Sequence, residues 1–358
     1  MSDYFFEDGK FVIEDYDGKS AFCSFLPGIA GLSGTPLWAF YINRGQGIAG
    51  FGVKDKGSPI MEFYPAEHAY AHAPAQGFRT FVKAGGRTAE LLAHRNGAKK
   101  RMEVFRSGFA VAEEGEGYVF RAEYFGLPEK PYAALVRKAR YTNRSQSVQE
   151  FELLDGLAQL IPYGLSNSSF KESGNLMKSW MCVEDAGGAA FFRMRSSTND
   201  GAEVQAVGAG NFYLPVGAEG ARIAVDPKIV FGEDYTKASP ERFAACGDFD
   251  ALLDAQNTEN EIPCAFTYAK VRLAAGESVT WYSLAGYAAC RETAAHIAGE
   301  CSPETLEAAR ARAAGIAEEI ADKVCTHTAR PLFDAYVKQC YFDNVLRGGM
   351  PVRLGDKV

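Results

Sequence analysis

The chain has 358 residues, 47% of them hydrophobic and 23% charged, with 38 basic against 45 acidic side chains and a formal net charge of −7. That length exceeds the size at which one hydrophobic core usually stops growing, so it requires either one unusually large all-β domain or two domains. The dispersed acidic excess argues against a nucleic-acid or anionic-membrane partner, and no apolar run approaches the roughly 20 residues of a membrane span.

In chain order, the first eight residues carry acids where an export signal needs bases and an apolar core, so none is expected in this sequence. From there to about residue 290 the pattern is strand-like: short runs rich in β-branched and aromatic residues, punctuated by Gly, Pro, Asn and Asp. Residues 37–42, 77–82, 118–124, 136–142 and 279–284 are examples. Phe120, Ala122 and Tyr124 alternate with Val119, Arg121 and Glu123, which suits an antiparallel sheet with one wet face. Aromatics at 13% and 37 glycines for turns make a large antiparallel β-sandwich of two broad sheets the economical fold class. At Ser302-Pro303-Glu304 the texture changes: a capping hydroxyl, a proline at the first helical position and an acid in the first turn. Leu306, Ala309, Ala313, Ile316 and Ile320 then recur at spacings of three and four, predicting an amphipathic helix to about Cys325. A second helix is expected from Pro331 to about Asn344. The expected organisation is a β-sandwich over 1–301, a helical linker over 302–345, and the truncated start of a further domain over 346–358.

Several short motifs have a plain structural reading. Gly45-Gln46-Gly47-Ile48-Ala49-Gly50 matches a dinucleotide fingerprint, but a strand or turn rather than a helix follows, so a glycine-rich hairpin is expected. Lys99-Lys100-Arg101 reads as a solvated turn. His68 and His72, four apart, lack a third metal ligand, so no metal is expected. Ser166, Ser168 and Ser169 lie in a loop-like stretch without a nucleophile elbow. The eight cysteines form no C-x-x-C pair, so free thiols in a cytoplasmic protein are expected. Asn143-Arg144-Ser145 and Asn167-Ser168-Ser169 read as chance glycosylation matches.

Polar residues usable for sugar recognition stand between the aromatic strands: Asn43, Arg44, Gln46, Asp55, Lys56, Glu62, Arg79, Asn199, Asp200 and Asn211. Carbohydrates are bound by aromatic faces flanked by acids, amides and arginines. The alternative is that these residues are turn formers and edge charges.

Five segments carry a family resemblance: Phe25-Leu-Pro-Gly-Ile-Ala-Gly31, Leu37-Trp-Ala-Phe-Tyr-Ile-Asn-Arg-Gly-Gln-Gly47, Ser58-Pro-Ile-Met-Glu-Phe-Tyr-Pro-Ala66, Gly77-Phe-Arg-Thr-Phe-Val-Lys83 and Tyr341-Phe-Asp-Asn-Val-Leu-Arg-Gly-Gly-Met-Pro-Val-Arg-Leu-Gly355. They resemble the N-terminal part of inverting β-glucoside phosphorylases, the cellobiose-phosphorylase-like enzymes of glycoside hydrolase family 94, formerly glycosyltransferase family 36. The resemblance implies a sandwich similar to galactose mutarotase, a helical linker and then an (α/α)6 barrel that carries the catalytic aspartate. It implies a non-catalytic chain that serves assembly and substrate-site shaping, with an oligosaccharide substrate, its own barrel and a homodimer partner. Inorganic phosphate would be the parent enzyme's co-substrate, with no other cofactor. Arg44, Gln46, Asp55 and Lys56 are the candidates for a loop brought toward the active site. Two other readings are a free-standing aldose epimerase, which needs a histidine acid facing a glutamate base, and a stand-alone carbohydrate-binding module.

Overall fold

The computed structural model describes residues 3–26, 29–31, 34–53, 55–198 and 202–345. Its strands are β1 (Tyr4–Glu7), β2 (Lys10–Glu14), β3 (Cys23–Leu26), β4 (Leu37–Ile42), β5 (Ile48–Val53), β6 (Pro59–Met61), β7 (Phe78–Ala84), β8 (Arg87–Leu91), β9 (Lys99–Phe105), β10 (Gly108–Gly115), β11 (Tyr118–Gly126), β12 (Ala134–Asn143), β13 (Gln149–Leu157), β14 (Met181–Ala186), β15 (Ala189–Met194), β16 (Gly210–Val216), β17 (Arg222–Ala224), β18 (Ala265–Leu273) and β19 (Ser278–Ala288). The helices are α1 (Ala66–Gln76), α2 (Asn167–Met177), α3 (Pro227–Phe231), α4 (Glu241–Ala245), α5 (Phe249–Asp254), α6 (Arg291–Glu300), α7 (Pro303–Ala321) and α8 (Pro331–Val345).

The fold is mainly β. A ten-stranded sheet in the order β1-β2-β9-β10-β11-β12-β19-β16-β15-β14 stands with a five-stranded sheet, β17-β18-β13-β7-β8, and a four-stranded one, β3-β4-β5-β6. Their ladders are antiparallel, as period-two alternation requires when one face of a sheet is buried. Successive strand residues point to opposite faces, so Phe120, Ala122 and Tyr124 of β11 all turn inward. There they join Phe109 and Trp281 against Phe51 and Phe78 of the two smaller sheets. The Phe78 and Tyr124 rings lie 5.4 Å apart. Burying each such ring contributes about 1.5–3 kcal/mol.

Helices cover part of the other sheet faces. Ala294 and Ile297 of α6 and Leu306 of α7 pack on Phe125, Val136, Phe212 and Leu284 across the other face of the large sheet. Phe231, Phe243 and Phe249, from α3, α4 and α5, cover Phe81, Leu154 and Phe266 of the five-stranded sheet.

The Gly-rich motif is a hairpin joining β4 to β5 through residues 43–47. Gly47 has φ 91°, and a Cβ there would lie 2.4 Å from the Phe109 ring, so packing and backbone both demand glycine. Three expectations need correction. Lys99-Lys100-Arg101 opens β9 instead of forming a solvated turn: Lys100 is fully buried, and its ammonium lies 2.6 Å from Asp17. Ser166 is no loop residue but the cap of α2, its Oγ accepting from the Ser169 N–H at 3.1 Å. Helical structure also begins before Ser302, with α6, and α1 and α2 interrupt the β-region. The segment 346–358 lies outside the described residues.

Candidate functional site

A polar cleft forms where several elements leave the sheets. Glu62 follows β6, Gln159 follows β13, Lys237 stands on the loop after α3, and Glu261 precedes β18. Helix α2 forms one wall and is tied to the segment after β6 by Asn167, which accepts from the Phe63 N–H at 2.9 Å and donates to its carbonyl at 3.1 Å. The main cleft, about 440 Å³, is lined by Glu62, Tyr64, Gln76, Gln159, Phe170 and Asn175 among others. A side pocket of about 110 Å³ shares Gln159, Asn175 and Ile262 with it and adds Lys237, Tyr235 and Glu261.

The loop bearing Lys237 is built by Asp234. One carboxylate oxygen accepts from the Thr236 N–H at 2.9 Å and hydroxyl at 2.6 Å, and the other from the Ala238 N–H at 2.8 Å. The Thr236 hydroxyl bond and these backbone donors hold the Asp234 carboxyl below its ordinary range. Lys237 takes a left-handed backbone conformation, φ 57°. Arg79 of β7 braces the same turn: it is bidentate to Glu90 at 2.7 and 2.6 Å and donates to the carbonyls of Lys237 and Ala238. The lysine side chain is thereby turned inward, only 8% of the residue is exposed, and Nζ donates to Gln159 Oε1 at 2.9 Å. Burial pulls its ammonium down to about 8, with the Arg79 charge acting in the same direction and Cys264, Glu261 and Glu62 opposing.

Across the cleft, Tyr64 Oη lies 2.7 Å from Glu62 Oε2 and 2.5 Å from Gln76 Oε1. Burial first, then the Glu62 carboxylate, push the phenol well above its ordinary range. The Tyr64 ring is clamped between His72, stacked at 4.6 Å, and the Lys171 ammonium at 5.2 Å. The walls thus present carboxylates, amides, the ammonium groups of Lys171, Lys228 and Lys237 and, at the rim, the exposed ring of Tyr235. That mixture of donors, acceptors and aromatic surface can hold a ligand rich in hydroxyls.

The candidate loop residues are not gathered in one place. Arg44 and Gln46 lie in the turn between β4 and β5, Asp55 and Lys56 in the turn between β5 and β6, at opposite ends of β5. Arg44 donates to the Lys19 carbonyl at 3.0 Å. Gln46 is buried, donating to Thr80 Oγ1 at 2.8 Å and accepting from Arg137 at 2.7 Å. Asp55 accepts from the Gly57 N–H at 2.7 Å, and the Lys56 ammonium lies 5.7 Å from the Phe40 ring centroid. Of the wider polar set, Glu62 lines the cleft and Arg79 braces it, whereas Asn43 and Asn211 are buried and bonded to backbone carbonyls. Asn199 and Asp200 lie outside the described residues. Lys237, Gln159 and Glu261 escaped sequence reasoning. Nothing local marks a lysine as buried.

The histidines are dispersed. His68 and His72 share α1 with rings 6.3 Å apart, and His94 Nδ1 lies 3.6 Å from Asp17. Among the described residues no group of three or more His, Cys, Asp or Glu could hold a metal ion. Nor is any helix among them long and apolar enough to cross a membrane. Among the described residues, the eight cysteines form no disulfide.

No protein-family profile matches this sequence, and no curated protein matches it. Solved structures do. A bacterial glucoamylase complexed with acarbose is similar over 90% of this chain and 43% of its own, at 10% identity and a TM-score of 0.44. A protein described as a kojibiose phosphorylase from the human microbiome covers 96% of this chain and 38% of its own, at 9% identity and 0.36. A galactose mutarotase-like protein from Clostridium acetobutylicum covers 79% of this chain and 99% of its own, at 9% identity and 0.35. The chain spans less than half the length of the glucoamylase and the phosphorylase.

Proposed function

We propose that this chain is a carbohydrate-binding sandwich that takes an oligosaccharide in the cleft around Glu62, Gln76, Gln159 and Lys237. In this reading it is the non-catalytic N-terminal sandwich of a cytoplasmic phosphorylase that cleaves β-glucosides with inorganic phosphate. The barrel, the homodimer partner and the boundary at Ser302 belong to the same proposal. The observation that carries it is the cleft itself: about 440 Å³, lined by carboxylate and amide groups and bordered by aromatic side chains.

Calorimetry against cello- and laminari-oligosaccharides tests the reading. Binding is expected, and Gln76→Ala is expected to weaken it by about 1–3 kcal/mol, about fivefold or more, because a half-buried amide partner is lost. Absence of heat with every oligosaccharide in both series would overturn the cleft as a sugar site. Phosphate release from α-glucose 1-phosphate by the purified chain would overturn the non-catalytic role.

A further inference from the structure

We propose that Lys237 recognises an anionic group carried by the bound sugar, a uronate carboxylate or a phosphate ester, seated in the side pocket beside Gln159. The inference rests on the cleft being a sugar site and goes beyond it by naming the ligand's charge.

A buried charge is ordinarily paired, because an uncompensated one costs several kcal/mol. Lys237 departs from that rule. Its ammonium has three N–H donors, and the acceptor it reaches is the neutral Gln159 amide oxygen. Among the described residues no carboxylate stands within 4 Å of it. The acids that face it are occupied otherwise. Glu261 lies between Lys178 at 3.7 Å and Lys228 at 3.5 Å, Asp234 serves its own loop, and Glu62 takes the Tyr64 hydroxyl. Glu233 borders the pocket, Cys264 is a buried thiol, and the second nearby cation, Arg79, is neutralised by Glu90. The side pocket is therefore short of one negative charge at Nζ. Its volume of about 110 Å³ has room for a carboxylate or phosphate group while the rest of the sugar occupies the larger cleft.

The sign of the pH dependence follows. With its ammonium pulled down to about 8, the empty site loses its proton as pH rises through that value. A bound anion favours the charged form, so binding takes up a proton near pH 8 and affinity falls at higher pH.

The experiment is calorimetry on the whole chain at pH 7 and pH 9.5, in buffers of different ionisation enthalpy. The ligands are cellobiose, a β-linked disaccharide ending in glucuronate, glucose 6-phosphate and inorganic phosphate. An acidic sugar is expected to bind about tenfold or more tighter than cellobiose at pH 7, with a proton uptake that is small there and grows as pH rises through 8. The margin should vanish at pH 9.5 and in Lys237→Gln. The tighter of the glucuronate and phosphate arms identifies the group. Equal affinity for neutral and acidic sugars at pH 7, or an acid preference that survives in folded Lys237→Gln, would overturn the proposal. Should that variant not fold, the wild-type comparison between the two pH values decides. Binding of inorganic phosphate alone with proton uptake would uphold Lys237 while the sugar reading fails, whereas binding of cellobiose alone would do the reverse.

Discussion

Arg137 and Asp155 form an ion pair at 2.5 Å with both side chains fully buried between the sheets. Arg137 also donates to Gln46 Oε1 at 2.7 Å and to Tyr124 Oη at 3.1 Å, while Asp155 accepts from Trp281 Nε1 at 2.7 Å and Thr80 Oγ1 at 2.5 Å. Every donor that Asp155 satisfies would be stranded without it. Asp155→Ala should therefore cost about 3–5 kcal/mol, read as a lowered urea midpoint. The double change Arg137→Met with Asp155→Leu should cost less than Asp155→Ala alone, because it strands no charge. A single substitution that leaves the midpoint unmoved would show that the pair carries no stability. The network also places Gln46: it supports the core, which its position in a glycine-rich turn did not disclose.

Helix α7 illustrates the next scale. Its start is held by a capping box in which Ser302 Oγ accepts from the Thr305 N–H at 3.2 Å and Thr305 Oγ1 accepts from the Ser302 N–H at 2.9 Å. Its docking on the large sheet depends on Glu307, which accepts from Lys138 at 2.6 Å and Tyr282 at 2.5 Å and faces Arg310 at 3.2 Å. Burial alone would raise the Glu307 carboxyl, but these hydrogen bonds and the charges of Lys138 and Arg310 outweigh it and hold it down to about 2. A carboxyl depressed in the folded state stabilises above its ordinary 4.5, and that stabilisation drains away as pH falls from there toward 2. Acid titration followed by circular dichroism should show Glu307→Gln to be less stable than wild type at pH 7 and less sensitive to acid across this window. Parallel acid curves for the two proteins would rule out the role.

At the scale of the whole molecule, α8 stands apart. Leu332 (81% exposed), Phe333 and Tyr336 turn an apolar strip to solvent, while Phe342 packs with Ile316 and Ala317 of α7. An exposed strip of this kind favours association, and the proposed homodimer and barrel are the partners in view. Sedimentation velocity should find the chain self-associating at micromolar concentration, and Leu332→Glu with Tyr336→Glu should shift it toward monomer without lowering its melting temperature. A wild-type chain that sediments as a clean monomer and binds no hydrophobic dye would count against the strip as an interface.

Local chemistry determined much of this protein. The aromatic and β-branched run at residues 37–42 and the alternation within 118–124 sufficed to name β4 and β11, and Ser302-Pro303 sufficed to start α7, because strand pattern and cap are set by neighbours in sequence. The helices α1 and α2 stayed hidden: α1 contains Pro74 and two histidines, and α2 opens on Asn-Ser-Ser, residues that favour turns as readily as caps. Lys100 shares a strand face with Met102, a period-two signal that was present, but Asp17, which makes its burial tolerable, lies 83 residues away. The cleft depended on tertiary structure for the same reason. Glu62, Gln159, Lys237 and Glu261 meet only because β6, β13, the loop after α3 and the approach to β18 end side by side. Whether a charged side chain is solvated or buried depends on what distant strands bring against it, and no local pattern carries that information.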